Sequence, residues 1–446
     1  MKNSLKLGFF GLTGLVISAT IGSGVFALPQ NMAEGAGAAA VLAAWIITGA
    51  GMYFLTDVFR VLSAVKPELT AGLYAYAKEG FGEKTGFFIA WGYWFSNVCA
   101  VSAFLAVLME SLNYFFPGVF TGGNNLNSIL LSSVIIWCFY ALISKGIKET
   151  AFINLLGTIF KLFPVLLFIV ILFYAVKIPV LKTALAQTAA MPGASFMGQI
   201  KNAMIITLWA FIGIEATVVL AGRAKNNKIV SSALMTAFLL CIIIYVCVSL
   251  LPFGVLDRAR IAAMDNPSTA GVLEYIIGRA GGIIMNAGMI VSVFFATLSM
   301  MTITAEVPFT AAKDNSFPKQ FTKENAKSVP VFSLMITAAA VNALLFLGFA
   351  SDHAFQTLLT ITAVMIMPVY LVTALYLAKI AAKKSFPPGF KVGLTRARVS
   401  AAVGALYAGW LIYAANVKYL ALALVFFLLG IPVYLAAKRQ KKNDIS

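Results

Sequence analysis

Charge is scarce in this chain. Only 11% of its 446 residues are Asp, Glu, Lys or Arg, against 61% apolar. A soluble domain carries roughly 25% charged residues, because water must solvate its surface. So small a polar complement excludes a water-facing globule as the body of the chain. The ~10-residue alternation of an outer-membrane barrel strand is missing as well. Cysteine is sparse and dispersed: Cys99, Cys138, Cys241 and Cys247 all fall inside apolar runs, with no CxxC pair. They read as small hydrophobes, not as a disulfide framework. The single histidine, His353, sits in a short loop. One imidazole builds neither a metal site nor a histidine relay, so no metal or other cofactor is expected. HExxH, GxxxxGK[ST] and GxSxG are absent too, so neither a nucleotide-driven pump nor an enzyme is expected.

What is present is apolar sequence at membrane length. About 20 such residues cross a ~30 Å hydrocarbon core. Twelve spans are predicted, at 8–29, 37–62, 86–116, 127–144, 151–176, 200–222, 230–252, 281–312, 329–349, 355–381, 398–416 and 418–437. The expectation is an all-α membrane protein with twelve transmembrane helices and little else. The third and eighth runs are long enough to tilt or protrude. The first has a basic front, but glycines break its apolar run, so it reads as a membrane helix, not a cleaved leader.

Basic residues set the expected orientation. With both termini cytoplasmic, the inner side holds 25 Lys and Arg, the outer side seven, and Lys161 falls within a span. Arg223, Lys225 and Lys228 follow the sixth span, and Lys438, Arg439, Lys441 and Lys442 lie near the end. The net charge of +17 is then accounted for without nucleic acid. Its expected partner is anionic membrane lipid.

Two spans carry glycine-marked breaks: Gly22-Ser23-Gly24 in the first, and Phe211-Ile212-Gly213-Ile214 beside Glu215 in the sixth. Paired interruptions five spans apart point to a transporter built from inverted repeats, with its site at the breaks. The repeats would be 8–176 and 200–381, with two added helices at 398–437, all in one transmembrane domain. At an unwound segment, free N–H groups and a helix N-terminus suit a carboxylate. Small residues also let helices pack closely, so the cluster alone leaves both readings open.

Charges at membrane depth are the next candidates. An isolated charge there costs at least ~2.5 kcal/mol. Glu215 is therefore expected to be protonated, paired or facing water, as a proton site, a gate or a structural bridge. Trp209 offers an aromatic face worth up to ~2 kcal/mol to a desolvated cation, or simply packs. Lys161 lies about ten residues into its span, ~15 Å deep, too far for comfortable snorkelling. It is expected to point inward in place of a bound cation. Glu306 is expected to be buried as a partner for Lys161 or for a basic loop. Asp57 and Arg60, three residues apart on one face, read as a gate or an anchor. Tyr93, Ser96 and Asn97 add polar groups in the third span. Thr357, Thr360 and Thr362 are weaker candidates, since threonine back-bonds to its own helix.

Taken in order, these segments resemble a family. Ile21 to Phe26 with Leu28-Pro29, and Trp209 to Glu215, are similar to the first and sixth helices of exchangers of the amino acid–polyamine–organocation superfamily. Leu28 to Ala33, Tyr74 to Ala77, Ala90 to Trp94, Gly146 to Glu149 with Phe152 to Asn154, and Ala311 to Asp314 resemble the arginine–ornithine antiporter group. The resemblance implies the leucine-transporter-like 5+5 inverted repeat, with helices 1 and 6 unwound, and exchange by alternating access. It implies that backbone groups of Thr20, Ile21, Gly22, Ser23 and Gly24 hold the substrate carboxylate. Carbonyls near Trp209 and Ile212 would hold the α-amine, and Trp209 would stack on the cationic tail. Glu215 would serve gating or proton sensing, and Lys161 would replace sodium. Met300 or Met301 stands where relatives place a gating tryptophan, and Ala19 where some carry a polar residue.

Exchange of a cationic amino acid, arginine first, for its product ornithine or agmatine is the expected function. A proton-coupled amino-acid importer and lysine–cadaverine exchange are the alternatives. The resemblance also implies a bacterial inner membrane and allows a homodimer.

Overall fold

The computed structural model describes residues 8–69, 72–146, 150–187, 193–215, 227–349, 354–384, 386 and 393–443. His353, Arg223, Lys225, Ile147 to Glu149 and the side chains of Ala19, Ser23, Phe152 to Asn154, Lys228 and Lys442 lie outside what it describes. Among the described residues every regular element is helical. That follows from the solvent: hydrocarbon satisfies no N–H or C=O, so the backbone must pair within itself.

The helices are α1 Phe9–Thr20, α2 Leu28–Gly35, α3 Ala38–Val65, α4 Leu73–Phe81, α5 Glu83–Phe115, α6 Leu126–Ser144, α7 Thr150–Ala175, α8 Ile178–Ala186 and α9 Phe196–Phe211. They continue with α10 Asn227–Leu250, α11 Arg258–Ala262, α12 Ser268–Ile277, α13 Arg279–Lys313, α14 Val331–Gly348, α15 Ala354–Ala382, α16 Leu394–Ala414, α17 Val417–Leu428 and α18 Gly430–Asn443. Nine spans among the described residues are long and apolar enough to cross a membrane, with α17 and α18 counted together. A tenth arises if α7 and α8, bent by 97°, count as one. The protein is thus a multi-span membrane protein. α1 and α9 fall short of a full crossing because each stops at a break. The connections between spans carry the short helices α4, α8, α11 and α12.

Burial sorts the helices into centre and rim. In α5 the most apolar stretch is 89% buried, and in α15 72%, whereas in the α17–α18 span it is 17%. α5 is the central post: α13 and α15 both pack along it. α1 packs on α10, and α3 packs on both α9 and α10. These contacts bring both broken helices into one group around α3 and α10, facing α5 and α15.

Candidate functional site

Two helix ends that stop inside the protein define the site. α1 stops at Thr20 because Ile21 turns extended (φ −76°, ψ 92°) and Gly22 follows it (φ −83°, ψ −165°). A 3-10 turn then starts at Ser23 and runs to Ala27. The N–H groups that open such a turn have no acceptor within it. Gly22, the residue before the turn, has no side chain to cap them. They leave partial positive charge in the interior. α9 stops at Phe211, where Ile212 turns extended (φ −61°, ψ 128°). Gly213 follows with φ 111°, which a Cβ would strain.

The breaks meet through one ring. A Cβ on Gly24 would fall within the indole of Trp209, so that ring occupies the space of any side chain at 24. Trp209 is itself held edge-on by Phe355 of α15, centroids 6.0 Å apart at 82°. Gly22 faces α5 instead, where its Cβ would lie 3.5 Å from Phe104.

Glu215 closes the second break. Its Oε2 accepts the Gly213 N–H at 3.0 Å and the Tyr370 hydroxyl at 2.9 Å, and its Oε1 accepts the Tyr93 hydroxyl at 3.4 Å. The residue is buried. Three donors converging on one carboxyl suit an acceptor-only group. They join α5, α15 and the end of α9 at one point. One turn along α5, Asn97 is fully buried with its amide nitrogen toward the Tyr93 hydroxyl, and its amide oxygen meets no donor among the described residues. An orphaned buried polar group costs about 1–3 kcal/mol, and a ligand that donates to the amide oxygen recovers part of it.

The remaining expected residues divide. Ser96 donates to the Thr362 carbonyl at 2.8 Å and ties α5 to α15. Thr20, Thr360 and Thr362 each donate to a carbonyl four residues back. Met301 is buried on α13 and Met300 half-buried. Lys161 is buried on α7, close enough to Cys241 of α10 to interact electrostatically. α7 also packs on α1 and α13. Glu306 is a correction. Its side chain is exposed on α13, and its charged neighbours are Lys313 and Glu324, not Lys161. It lies seven residues, about 10 Å, from the end of α13, on a face that no other helix covers among the described residues. Asp57 and Arg60 are paired at 2.6 Å, joined by Arg396 and Ser400 of α16.

Tyr370, Phe104 and Phe355 were not expected. A phenol at membrane depth needs an acceptor, and Tyr370 lies two residues past Pro368, which removes one backbone donor inside α15. That combination was the available signal for Tyr370. The two phenylalanines carry none, being two among 36.

With this geometry in place, the relatives can be set beside it. Residues 7–442 match the amino acid permease family. An arginine/agmatine antiporter of Chlamydia pneumoniae is 45% identical over 446 residues, 99% of this chain and 92% of that protein. Its counterpart from Chlamydia felis is 44% identical over the same shares, and that of Chlamydia trachomatis serovar D 41% identical over 98% of this chain and 91% of its own. The substrate-bound, outward-open state of a Na+-coupled sialic acid symporter superposes with a TM-score of 0.57. That match covers 93% of this chain and 90% of the symporter at 12% identity, a likeness of fold alone. A full-length family match, close relatives that are antiporters and two apposed helix breaks lead to one statement: the chain belongs to the amino acid permease family.

Proposed function

We propose that this protein exchanges arginine for agmatine across a bacterial inner membrane, by alternating access through twelve spans arranged as a 5+5 inverted repeat. The observation that carries the reading is the seat of Trp209 on Gly24, which joins an aromatic face to an uncapped backbone N-terminus. An amino acid with a cationic tail needs both surfaces. The relatives' names supply the counter-substrate, agmatine in place of ornithine.

In this reading the N–H groups from Gly22 to Gly24 hold the arginine carboxylate. The Ile212 carbonyl takes the α-ammonium, and Trp209 stacks on the guanidinium, with the Asn97 amide oxygen as a further acceptor. Glu215, held by Tyr93 and Tyr370, closes the path beneath the substrate. Lys161 stands in for a cation between spans. Both termini are cytoplasmic, the basic C-terminal helix lies against anionic lipid, and two copies can pair as in related exchangers.

Agmatine lacks the carboxylate and so carries one more positive charge than arginine. One-for-one exchange therefore moves charge, whereas arginine–ornithine exchange does not. Proteoliposomes loaded with labelled arginine release it on external agmatine at a rate that follows an imposed membrane potential. Release driven by ornithine alone, indifferent to potential, overturns the assignment. In the same assay Glu215→Gln slows exchange about tenfold, since a charge-assisted hydrogen bond contributes about 1.5–3 kcal/mol and glutamine keeps only one acceptor oxygen. A wild-type rate removes Glu215 from the closure.

A further inference from the structure

We infer that Tyr245 is a positioning residue that clamps both helix breaks through one hydroxyl. Tyr245 lies in the C-terminal part of α10, five residues before its end and in an otherwise apolar stretch, and is 1% exposed. Its hydroxyl donates toward the Thr20 carbonyl at 2.9 Å and the Ala210 carbonyl at 2.7 Å. Thr20 is the last residue of α1, and Ala210 is the last but one of α9. Carbonyls at such ends have lost the N–H four residues ahead, because the chain leaves the helix there. A phenol has one proton. That single proton therefore serves two orphaned acceptors from two different helices.

The ring is held so that the hydroxyl has little freedom. Trp45 of α3 stacks on it, centroids 5.6 Å apart at 21°, and Phe211 meets it edge-on at 5.5 Å and 88°. The Trp45 indole N–H donates to the Ser249 hydroxyl at 3.1 Å, and that hydroxyl donates to Tyr245's own carbonyl. Trp45, Tyr245 and Ser249 thus form a buried cage on α3 and α10, the two helices that back the broken pair. Its one polar tip that leaves the cage reaches both breaks. Without the hydroxyl, no single group among the described residues bonds both breaks, and their separation is set by packing, the seat of Trp209 on Gly24 included.

The consequence is specific to substrate type, and it rests on the arginine–agmatine reading. Arginine engages the α1 break through its carboxylate, and agmatine has none. Tyr245→Phe keeps the ring and its packing but loses the proton. It is expected to weaken arginine binding about tenfold and agmatine binding much less, the loss of one well-placed hydrogen bond to each break. Ser249→Ala, which loosens the same cage without touching a break, is the control. Both variants are expected to melt lower than wild type, but only Tyr245→Phe changes the arginine-to-agmatine ratio of dissociation constants.

Equilibrium binding of labelled arginine and of labelled agmatine to purified full-length protein, with thermal unfolding in parallel, decides the matter. An unchanged ratio in Tyr245→Phe, or equal losses in the two variants, overturns the clamp. If Tyr245→Phe yields no folded protein, 3-fluorotyrosine at 245 replaces it. This stronger donor of nearly the same shape is expected to shift the ratio toward arginine, and an unmoved ratio overturns the clamp. Wild-type protein that binds neither ligand sinks the arginine–agmatine reading instead, so the two failures are distinguishable.

Discussion

Gly24→Ala abolishes exchange, and Gly22→Ala does not. The two glycines sit two residues apart in the same break, yet a Cβ meets different surroundings at each. At Gly22 the nearest atoms are the Phe104 ring at 3.5 and 3.7 Å, ordinary contact distances. At Gly24 the Cβ would lie inside the Trp209 indole. The indole cannot simply slide away, because Phe355 abuts it and Trp209 is 6% exposed in a packed interior. Overpacking of this kind costs about 1–3 kcal/mol where the surroundings give way, and more where they do not. Either the break is forced open or the ring leaves its seat, and both remove the surface that grips the substrate. Proteoliposome exchange by Gly24→Ala is therefore expected to fall below about 1% of wild type, a barrier or binding change of roughly 3 kcal/mol. Gly22→Ala is expected to stay within about threefold, in the range of small surface-like changes. Adding Trp209→Leu to Gly24→Ala restores the folded yield without restoring exchange. If Gly24→Ala transports normally, the seat of the ring on the break has no part in function.

The residues that were legible in the sequence share a cause: they are expensive where they sit. Apolar runs of membrane length locate the helices to within a few residues, as with α3 against the expected 37–62. Gly22 to Gly24 and Gly213 mark the breaks only as a pair: either cluster alone could serve close helix packing, and it is their recurrence five spans apart that points to unwound segments, found at the extended Ile21 and at Gly213 with φ 111°. Glu215 and Lys161 stand out because burying a charge demands a reason. What sequence does not encode is the face of a helix. Glu215 and Glu306 both sit within apolar runs, yet one is buried under two tyrosines and the other is exposed. Periodicity fails here because a helix apolar all round presents no stripe. Long-range partners are equally hidden. Asp57 and Arg60 could be paired by their spacing, but Arg396 approaches from another helix far along the chain. Tyr245 and Tyr370 gave a weak signal, since tyrosine is common in membrane proteins and its acceptors, backbone carbonyls and one carboxylate, appear only once the helices are packed.

Asp57 therefore carries the second large expected effect, on stability more than on substrate. Its side chain is 1% exposed in the C-terminal half of α3 and receives donors from two helices. Arg60 donates through Nε at 2.7 Å. Arg396 donates to both carboxyl oxygens, at 2.9 and 3.2 Å, and Ser400 at 2.7 Å. Arg60 also reaches Ser231 of α10 at 3.2 Å. One carboxylate thus pairs with two guanidiniums, balancing one of their two charges, and pins α3, α10 and α16 together. Asp57→Ala leaves Arg60 and Arg396 facing each other without their counter-charge; a broken buried pair loses about 3–5 kcal/mol, and because Arg396 is half exposed and screened the expected loss is about 2–3 kcal/mol. Arg396→Ala is milder, about 1 kcal/mol, because Arg396 is half exposed and water already screens it, while Arg60 still neutralises the acid. Asp57→Asn falls between, keeping the Ser400 contact but losing the charge. Thermal unfolding of the three variants in detergent should rank them in that order, with Asp57→Ala lowest. The ranking separates an electrostatic hub from a merely well-packed surface. If packing alone held these helices, Asp57→Asn would match wild type, since asparagine has nearly the same shape, and the neutral side chain would leave the melting temperature where it was.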